Sequence, residues 1–308
     1  MNAAPSTTHS APQGWLAEFV LLAAIWGASF LLMRVAALEF GSFMTAFLRV
    51  ALAGLFLWPV MLLRGLAPVL RANLKHILVV GVFNSGIPFA LYTYAVLHIS
   101  TGLSSVLNAT VPLFGAVVAW LWLGDRPNRE RMVGLAVGFA GVALLVGLRP
   151  ASNSESSLWA VLACLGATTC YAVAASYTRK HLTGVHPLAT ATGSMLGASL
   201  VLLVPAAAHL PAQMPGLHAW AALVGVALFC TSAAYVLFFR LIERTGPART
   251  LSVTFLIPVF GVVYGMVLLG ETVTAAMLGC AVIIFAGTAL SAGLMRLPTP
   301  NKPATPQP

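Results

Sequence analysis

The sequence has very little charge. Only 7% of its 308 residues are Asp, Glu, Lys or Arg, whereas 59% are hydrophobic; an average soluble domain has about 25% and roughly 45–50%. So little charge excludes a protein whose whole surface faces water. The net charge of +9 comes from 16 cations that are spread thinly and form no basic patch of the kind that binds nucleic acid. We therefore expect the protein to lie in the lipid bilayer and to bind no nucleic acid.

The sequence also lacks the residue groups that intramembrane enzymes need. It has one aspartate, Asp125, so an aspartate pair is excluded, and it has no HExxH zinc motif. Its histidines fall at span ends or in loops, which excludes a Ser-His dyad at membrane depth. The four cysteines, Cys164, Cys170, Cys230 and Cys280, lie in apolar stretches without metal-ligand spacing. We expect no catalytic residues, no metal and no cofactor.

What the sequence does have is a series of apolar runs, each near the ~20 residues that a helix needs to cross a bilayer. They predict an all-α integral membrane protein with ten transmembrane helices. The first run is too long for a cleavable signal, and residues 1–14 contain no Lys or Arg. The predicted spans are 15–37, 43–63, 76–97, 102–123, 131–148, 157–178, 187–208, 217–239, 247–269 and 273–294.

The cations predict the orientation of these spans, since Lys and Arg accumulate on the cytoplasmic side. Thirteen of the 16 lie on the side of the amino terminus, whereas Arg149 lies opposite and Arg34 and Arg49 lie in or beside the first two spans. We expect a bacterial inner (plasma) membrane protein with both termini cytoplasmic. The thirteen are Arg64, Arg71, Lys75, Arg126, Arg129, Arg131, Arg179, Lys180, Arg240, Arg244, Arg249, Arg296 and Lys302.

Three motifs recur after 146 residues, which indicates an internal repeat. Five spans per half require the halves to have opposite orientations, and the loop charges agree: 124–131 carries three arginines and its mate 271–274 none. We expect a cytoplasmic tail (1–14), a first repeat (15–148), a periplasmic linker (149–156), an inverted second repeat (157–294) and a disordered cytoplasmic tail (295–308). The motif pairs are Pro112-Leu113-Phe114-Gly115 with Pro258-Val259-Phe260-Gly261, Leu123-Gly124-Asp125 with Leu269-Gly270-Glu271, and Phe139-Ala140-Gly141 with Phe285-Ala286-Gly287.

Several of these blocks together resemble a known family. The chain is similar to the EamA type of the drug/metabolite transporter (DMT) superfamily over residues 15–294. It departs from that pattern at Asp125, where Glu is usual, and at Tyr171, where Trp is common. The resemblance implies ten helices around a central cavity that moves small organic solutes by alternating access, commonly exporting amino acids, metabolites or drugs. The blocks are Trp26-Gly27-Ala28-Ser29-Phe30 with Arg34, Arg49-Val50-Ala51-Leu52-Ala53-Gly54, Pro112 to Asp125 and Pro258 to Glu271.

Polar and aromatic residues inside the spans are the candidates for substrate binding, because inverted repeats place the substrate near the bilayer midplane, often beside interrupted helices. Trp26 and Ser29 share one helical face with Phe30 and Met33. Each candidate also has a plainer interpretation as helix packing or interhelical hydrogen bonding. The candidates are Trp26, Ser29, Arg49, Asn84, Ser85, Tyr92, Asn108, Tyr171, Thr231, Tyr235 and Thr254.

Three prolines, Pro88, Pro112 and Pro258, are candidate hinges. Inside a helix Pro112 and Pro258 would leave the carbonyls of Asn108 and Thr254 without a donor. A freed carbonyl is costly in hydrocarbon, so we expect both positions to face a neighbouring helix, water or substrate. A static kink that only helps packing is the alternative.

Two arginines need partners. Arg34 lies near the outer end of the first span and is expected to snorkel to the interface. Arg49 lies about six residues inside the second span, where a cation needs a pair. We favour Glu39 as that pair, with an anionic substrate group as the alternative. All seven acidic residues lie at or beyond span ends, so proton coupling, exchange and passive movement all stay open.

The sequence therefore predicts a transporter that exports a small organic metabolite through a central cavity between the repeats. Import or exchange is the alternative, and a membrane scaffold without transport is a weaker one. The GxxxG spacings at Gly134 to Gly138 and Gly193 to Gly197 suit helix packing within the chain or a dimer. We expect a monomer.

Overall fold

The structure is a computed structural model that describes residues 14–147, 155–246, 250 and 252–295, apart from the side chain of residue 156. Most of the predicted linker and of the two predicted tails lies outside these ranges. Every secondary-structure element within them is helical. The ten apolar segments, here α1 to α10, are Trp15–Phe40, Ser42–Leu63, Leu74–His98, Thr101–Leu123, Arg129–Gly147, Glu155–His181, Pro187–Ala208, Leu217–Thr245, Ser252–Leu269 and Ala275–Ser291.

The all-helical membrane fold is confirmed. Within the described ranges nine segments are long and apolar enough to cross a bilayer. The remaining segment, α10, has 17 residues, which is at the lower limit of roughly 17 for a spanning helix. Large apolar side chains such as Leu121 and Val204 are more than 70% exposed, as expected where lipid rather than water covers the surface.

Most of the predicted span ends lie within a few residues of the observed ones. In the ninth span the described segment begins at Ser252, and residues 247–249 and 251 lie outside the described ranges. The eighth span departs most, because it continues to Thr245 instead of ending at residue 239. Its last turns carry charged side chains, which hydropathy places outside the membrane although the helix itself continues.

The two halves have equivalent backbone features, 146 residues apart. Gly124 and Gly270 end α4 and α9 in the left-handed conformation, with φ of +74° and +65°, which a residue without a Cβ adopts at little cost. Helix α3 becomes a π-helix at Val82–Gly86, and α8 does so at Leu228–Ala233. The side chains of Asn128 and Thr274, which precede α5 and α10, each accept a hydrogen bond from a backbone N–H group of the first helical turn.

Contacts between the halves are also equivalent. Helix α1 packs on α8 and α9 of the second half, and its mate α6 packs on α3 and α4 of the first. Helix α2 pairs with its own mate α7, and α5 pairs with α10. The chain is therefore built from two matching halves, whereas their opposite orientation in a membrane stays a prediction.

The α5 and α10 pair depends on glycine. A Cβ on Gly287 would lie 2.2 Å from the backbone nitrogen of Gly138, and one on Gly134 would lie 2.4 Å from that of Ser291. Such distances are far inside van der Waals contact, so only glycine permits this approach. In the second GxxxG spacing, Gly193 faces Leu70 and Ile77. Both spacings therefore serve packing within the chain.

Two of the predicted hinge prolines, Pro112 and Pro258, lie where α-helices begin, whereas Pro88 lies inside α3 directly after its π-helix. An α-helix of α4 ends at Asn108, and the next begins at Val111, so Pro112 lies in its first turn. Pro258 likewise lies in the first turn of the α-helix Ile257–Leu269. The first backbone N–H groups of a helix have no intrahelical acceptor, so proline is tolerated there. The expectation that these two prolines lie within continuous helices was wrong for that reason, whereas their role as hinges stays a prediction.

Candidate functional site

A cavity of about 300 Å³ lies between the two halves. Nine of the eleven predicted binding residues line it, from α1, α2, α3, α4, α6, α8 and α9. Those nine are Trp26, Ser29, Arg49, Asn84, Tyr92, Asn108, Tyr171, Tyr235 and Thr254; the remaining lining residues are Phe30, Met33, Phe89, Val111, Ala175, Cys230, Phe238 and Ile257.

The other two predicted binding residues, Ser85 and Thr231, are buried behind the cavity wall. Thr231 contributes indirectly, because its hydroxyl oxygen accepts a hydrogen bond from Arg49. Ser85 lies 3.4 Å from the amide nitrogen of Asn84. The candidate hinges Pro88, Pro112 and Pro258 do not line the cavity, although Val111 and Ile257, which precede two of them, do.

Most of the lining consists of positions that are equivalent in the two halves. Each pair is separated by 146 residues, the same distance as the sequence motifs. Four lining residues were not predicted, although they lie 146 residues from predicted ones: Phe89, Ala175, Cys230 and Phe238. The pairs are Ser29 with Ala175, Asn84 with Cys230, Phe89 with Tyr235, Tyr92 with Phe238, Asn108 with Thr254, and Val111 with Ile257.

Arg49 is the charged residue of the cavity. Its side chain is 5% exposed, its Nε donates to Thr231 Oγ1 at 3.0 Å, and its Nη1 lies 2.9 Å from Met33 Sδ. The guanidinium carbon also lies 3.8 Å from the centre of the Phe89 ring, a cation–π contact. All of these partners are neutral.

The favoured pair between Arg49 and Glu39 was wrong. Glu39 Oε2 instead accepts from the backbone nitrogen of Gly216 at 2.5 Å, which joins the end of α1 to the start of α8. Across the described residues no carboxylate lies within 4.0 Å of Arg49. Glu39 lies six residues after Met33 on α1, which is fewer than two helical turns or about 9 Å along the helix axis, so the two side chains are in different layers of the protein.

Hydrogen bonds between lining residues fix the polar atoms of the cavity. The Tyr92 hydroxyl donates to Asn108 Oδ1 at 3.0 Å, and the Asn84 amide donates to the Tyr235 hydroxyl at 3.1 Å. Aromatic rings complete the wall, with Tyr92 stacked on Tyr171 at 6.2 Å between centroids. The result is a mostly apolar pocket with a few oriented polar groups, the usual composition of a small-molecule site.

Glu271, between α9 and α10, joins helices of the two halves at the predicted outer end of the protein. Its carboxylate accepts from the backbone nitrogens of Thr101 and Gly102 at 2.7 and 3.1 Å and from the Thr101 hydroxyl at 3.0 Å. It also lies 3.5 Å from Arg34 Nη1. Arg34 donates in addition to the Ile99 carbonyl at 3.2 Å, and its side chain is 31% exposed. It is therefore held by partners at the end of the span while partly exposed, and its snorkelling to the interface stays a prediction.

Two ion-pair groups lie at the predicted inner end. Asp125, the repeat mate of Glu271, pairs with Arg179, and both side chains are largely exposed. Glu18 on α1 pairs with Arg240 at 3.0 Å and with Arg244 at 2.8 Å, both on α8. Of the two repeat mates, Glu271 at the predicted outer end is therefore more buried than Asp125 at the predicted inner end.

Comparisons with known proteins agree with this architecture. The model of the EamA-like transporter family matches twice, over residues 14–147 and 158–293, so the chain belongs to that family. A solved crystal structure resembles it with a TM-score of 0.64, at 18% identity, over 92% of this chain and 98% of the other. At that identity the likeness concerns the fold alone.

Curated relatives are named as transporters, which agrees coarsely with the expectation that the chain is no enzyme. The uncharacterized inner membrane transporter YedA of Escherichia coli strain K12 is 29% identical over 282 residues, covering 89% of each chain. The uncharacterized transporter YvbV of Bacillus subtilis is 25% identical, covering 85% of this chain and 86% of the other. A probable terminal-alkyne amino-acid exporter of Streptantibioticus cattleyicolor is 27% identical over 183 residues, or 59% and 60% of the two chains.

Proposed function

We propose that this member of the EamA-like transporter family exports a small, partly apolar organic metabolite by alternating access through the cavity between its halves. Amino acids, their analogues and drugs are the leading substrate classes. The proposed location is the bacterial inner membrane, with both termini in the cytoplasm. The chain would act as a monomer without a cofactor.

The observation that carries this proposal is the composition of the cavity wall. Equivalent positions of both halves face each other across one space, so a rocking of one half against the other would open that space to either side in turn. Aromatic rings from both halves, such as Tyr92 and Phe238, offer apolar area for a substrate. A relative named as a probable amino-acid exporter adds support for the substrate class.

The proposal is tested by flux through the purified full-length protein in liposomes. A panel of radiolabelled amino acids, amino-acid analogues and drugs is loaded inside or outside, and protein-free liposomes serve as the baseline. At least one solute should move faster with protein, and overproducing cells should release it faster and resist its toxic analogues. Flux of no solute would leave only a scaffold role, and strictly inward, gradient-opposing accumulation in cells would replace export by import.

A blocking variant links the flux to the cavity. Ala175→Trp should place an indole in the cavity and abolish flux, because Ala175 is one of its lining residues. Leu121→Trp is the matched control, because that side chain is 77% exposed on the apolar outside. Equal flux through both variants would show that the solute moves by another route.

A further inference from the structure

The starting point is a cation without a counter-ion. Arg49 faces the cavity with Thr231, Met33 and Phe89 as neutral partners. An arginine stays protonated in proteins, and a buried charge without a pair is costly. All seven Asp and Glu residues belong to the described ranges, and none of them lines the cavity. The missing negative charge must therefore come from whatever occupies the cavity.

The geometry of Thr231 supports a site built to present this cation. Its hydroxyl donates to the Val226 carbonyl at 2.9 Å, one turn of π-helix earlier. Because the single hydroxyl proton of Thr231 is used in that bond, the hydroxyl oxygen can only accept the hydrogen bond from Arg49 Nε. The guanidinium is thus held by Thr231, Met33 and Phe89, and a ligand would bind its remaining N–H groups.

The cavity wall is also chemically unequal between its two matching halves. The first half supplies Ser29, Asn84 and Tyr92, where the equivalent positions of the second half are Ala175, Cys230 and Phe238. Arg49 itself is replaced by Met195 at the equivalent position. The second half adds the hydroxyls of Tyr171, Tyr235 and Thr254 to its wall but no charge. The charged group of the lining therefore faces an uncharged wall, and a ligand that satisfies both has one anionic end and one uncharged end.

We propose, on the basis of the transport function proposed above, that the cavity selects small organic monocarboxylates whose carboxylate binds Arg49 and whose uncharged remainder lies against the uncharged second-half wall. A carboxylate suits a guanidinium because both are planar and form two parallel hydrogen bonds. One cation neutralises one negative charge. The cavity offers no carboxylate for an ammonium group, so zwitterionic amino acids bind less tightly than their N-acylated counterparts.

Four probes that differ only in charge test this selection by equilibrium binding to the purified full-length protein. They are N-acetylphenylalanine (anion), phenylalanine (zwitterion), N-acetylphenylalaninamide (neutral) and phenylalaninamide (cation). N-acetylphenylalanine should bind at least about tenfold more tightly than the other three, because hydrogen bonds between charged groups contribute that much.

Two variants connect the preference to Arg49. Arg49→Gln should reduce the affinity for the anion to that for the neutral probe. Met33→Glu keeps the arginine but places a carboxylate beside its Nη1. Because that carboxylate neutralises the arginine, the preference for the anionic probe should disappear although the cation is still present. Arg71→Gln is the matched control, because it removes an exposed arginine and should leave all four affinities unchanged.

The outcomes separate this inference from the transport function. The inference is supported by a tenfold preference for the anion that both variants abolish, whether or not any probe crosses the liposome membrane. If binding shows this preference but no solute of the flux panel moves, the transport function is refuted and the inference about binding is not. The inference is overturned if the zwitterion, cation or neutral probe binds as tightly as the anion, if no probe binds, or if Met33→Glu retains the preference. Flux of other solutes would then leave the transport function standing.

Discussion

Removing the carboxylate of Glu271 is expected to weaken the predicted outer end of the protein selectively. This side chain is 10% exposed, accepts three hydrogen bonds from Thr101 and Gly102, and pairs with Arg34. Glu271→Gln removes the charge and one acceptor oxygen but keeps the size of the side chain. When one partner of a partly buried ion pair with several hydrogen bonds is removed, the state that contains the pair loses about 3 kcal/mol of stability.

The consequence depends on whether these bonds exist in every conformation. If they form only when the outer end is closed, a loss of about 3 kcal/mol shifts the population toward the open state by about a hundredfold. The native thiol of Cys230 faces the cavity and reports that opening in a variant whose other three cysteines are serine. Its labelling by a membrane-impermeant maleimide from the predicted outer side should rise strongly in Glu271→Gln.

The repeat mate gives a matched control. Asp125 and Arg179 have side chains that are 42% and 64% exposed, and an ion pair so exposed contributes only about 0–1 kcal/mol. Asp125→Asn should therefore change neither the unfolding temperature nor the outer labelling of Cys230 appreciably. If both substitutions have equal effects, or if Glu271→Gln lowers stability without any change in labelling, the outer end is not a lock that opens.

The remaining predictions concern packing, topology and binding. Gly287→Ala should destabilise the protein by about 1–3 kcal/mol in reversible unfolding because backbone blocks its Cβ, whereas Gly279→Ala on the same helix meets nothing within 4 Å and should be neutral or gain up to about 1 kcal/mol. A single cysteine at Asn128 should be labelled only from the cytoplasm and one at Ser154, outside the described residues, only from outside; labelling from one face would refute the inverted arrangement. Asn108→Ala should weaken substrate binding more than it slows transport, and unchanged affinity would place the substrate elsewhere.

The fold followed from the sequence because lipid imposes one strong rule. Backbone groups in hydrocarbon must be paired within the chain, so each apolar run near 20 residues becomes a helix. The repeat was equally accessible, because its motifs lie on helix ends such as Gly124 and Gly270, where the backbone conformation demands glycine. Hydropathy could not locate the end of α8, where charged turns continue the helix beyond the apolar stretch.

The cavity was predicted in large part because polar residues within spans are costly unless they have a use. That argument selected residues but not their partners. Arg34 pairs with Glu271, which lies 237 positions further along the chain, and Arg49 bonds to Thr231 at a separation of 182. Sequence proximity instead suggested Glu39 for Arg49. Partners at such distances depend on how helices pack, which one sequence without its structure does not specify.

The two halves kept the same backbone features but not the same side chains. Both retain a π-helix at the equivalent place in α3 and α8, and both begin an α-helix with proline beside the cavity. The π-helix leaves a widened turn, and in α8 that turn presents Thr231 to Arg49. In the proposed cycle both halves must form and release the same contacts, which requires equivalent backbones. A substrate, however, binds in one orientation, so its recognition needs unequal walls, and the exchange of Arg49 for Met195 is one such inequality at the cavity.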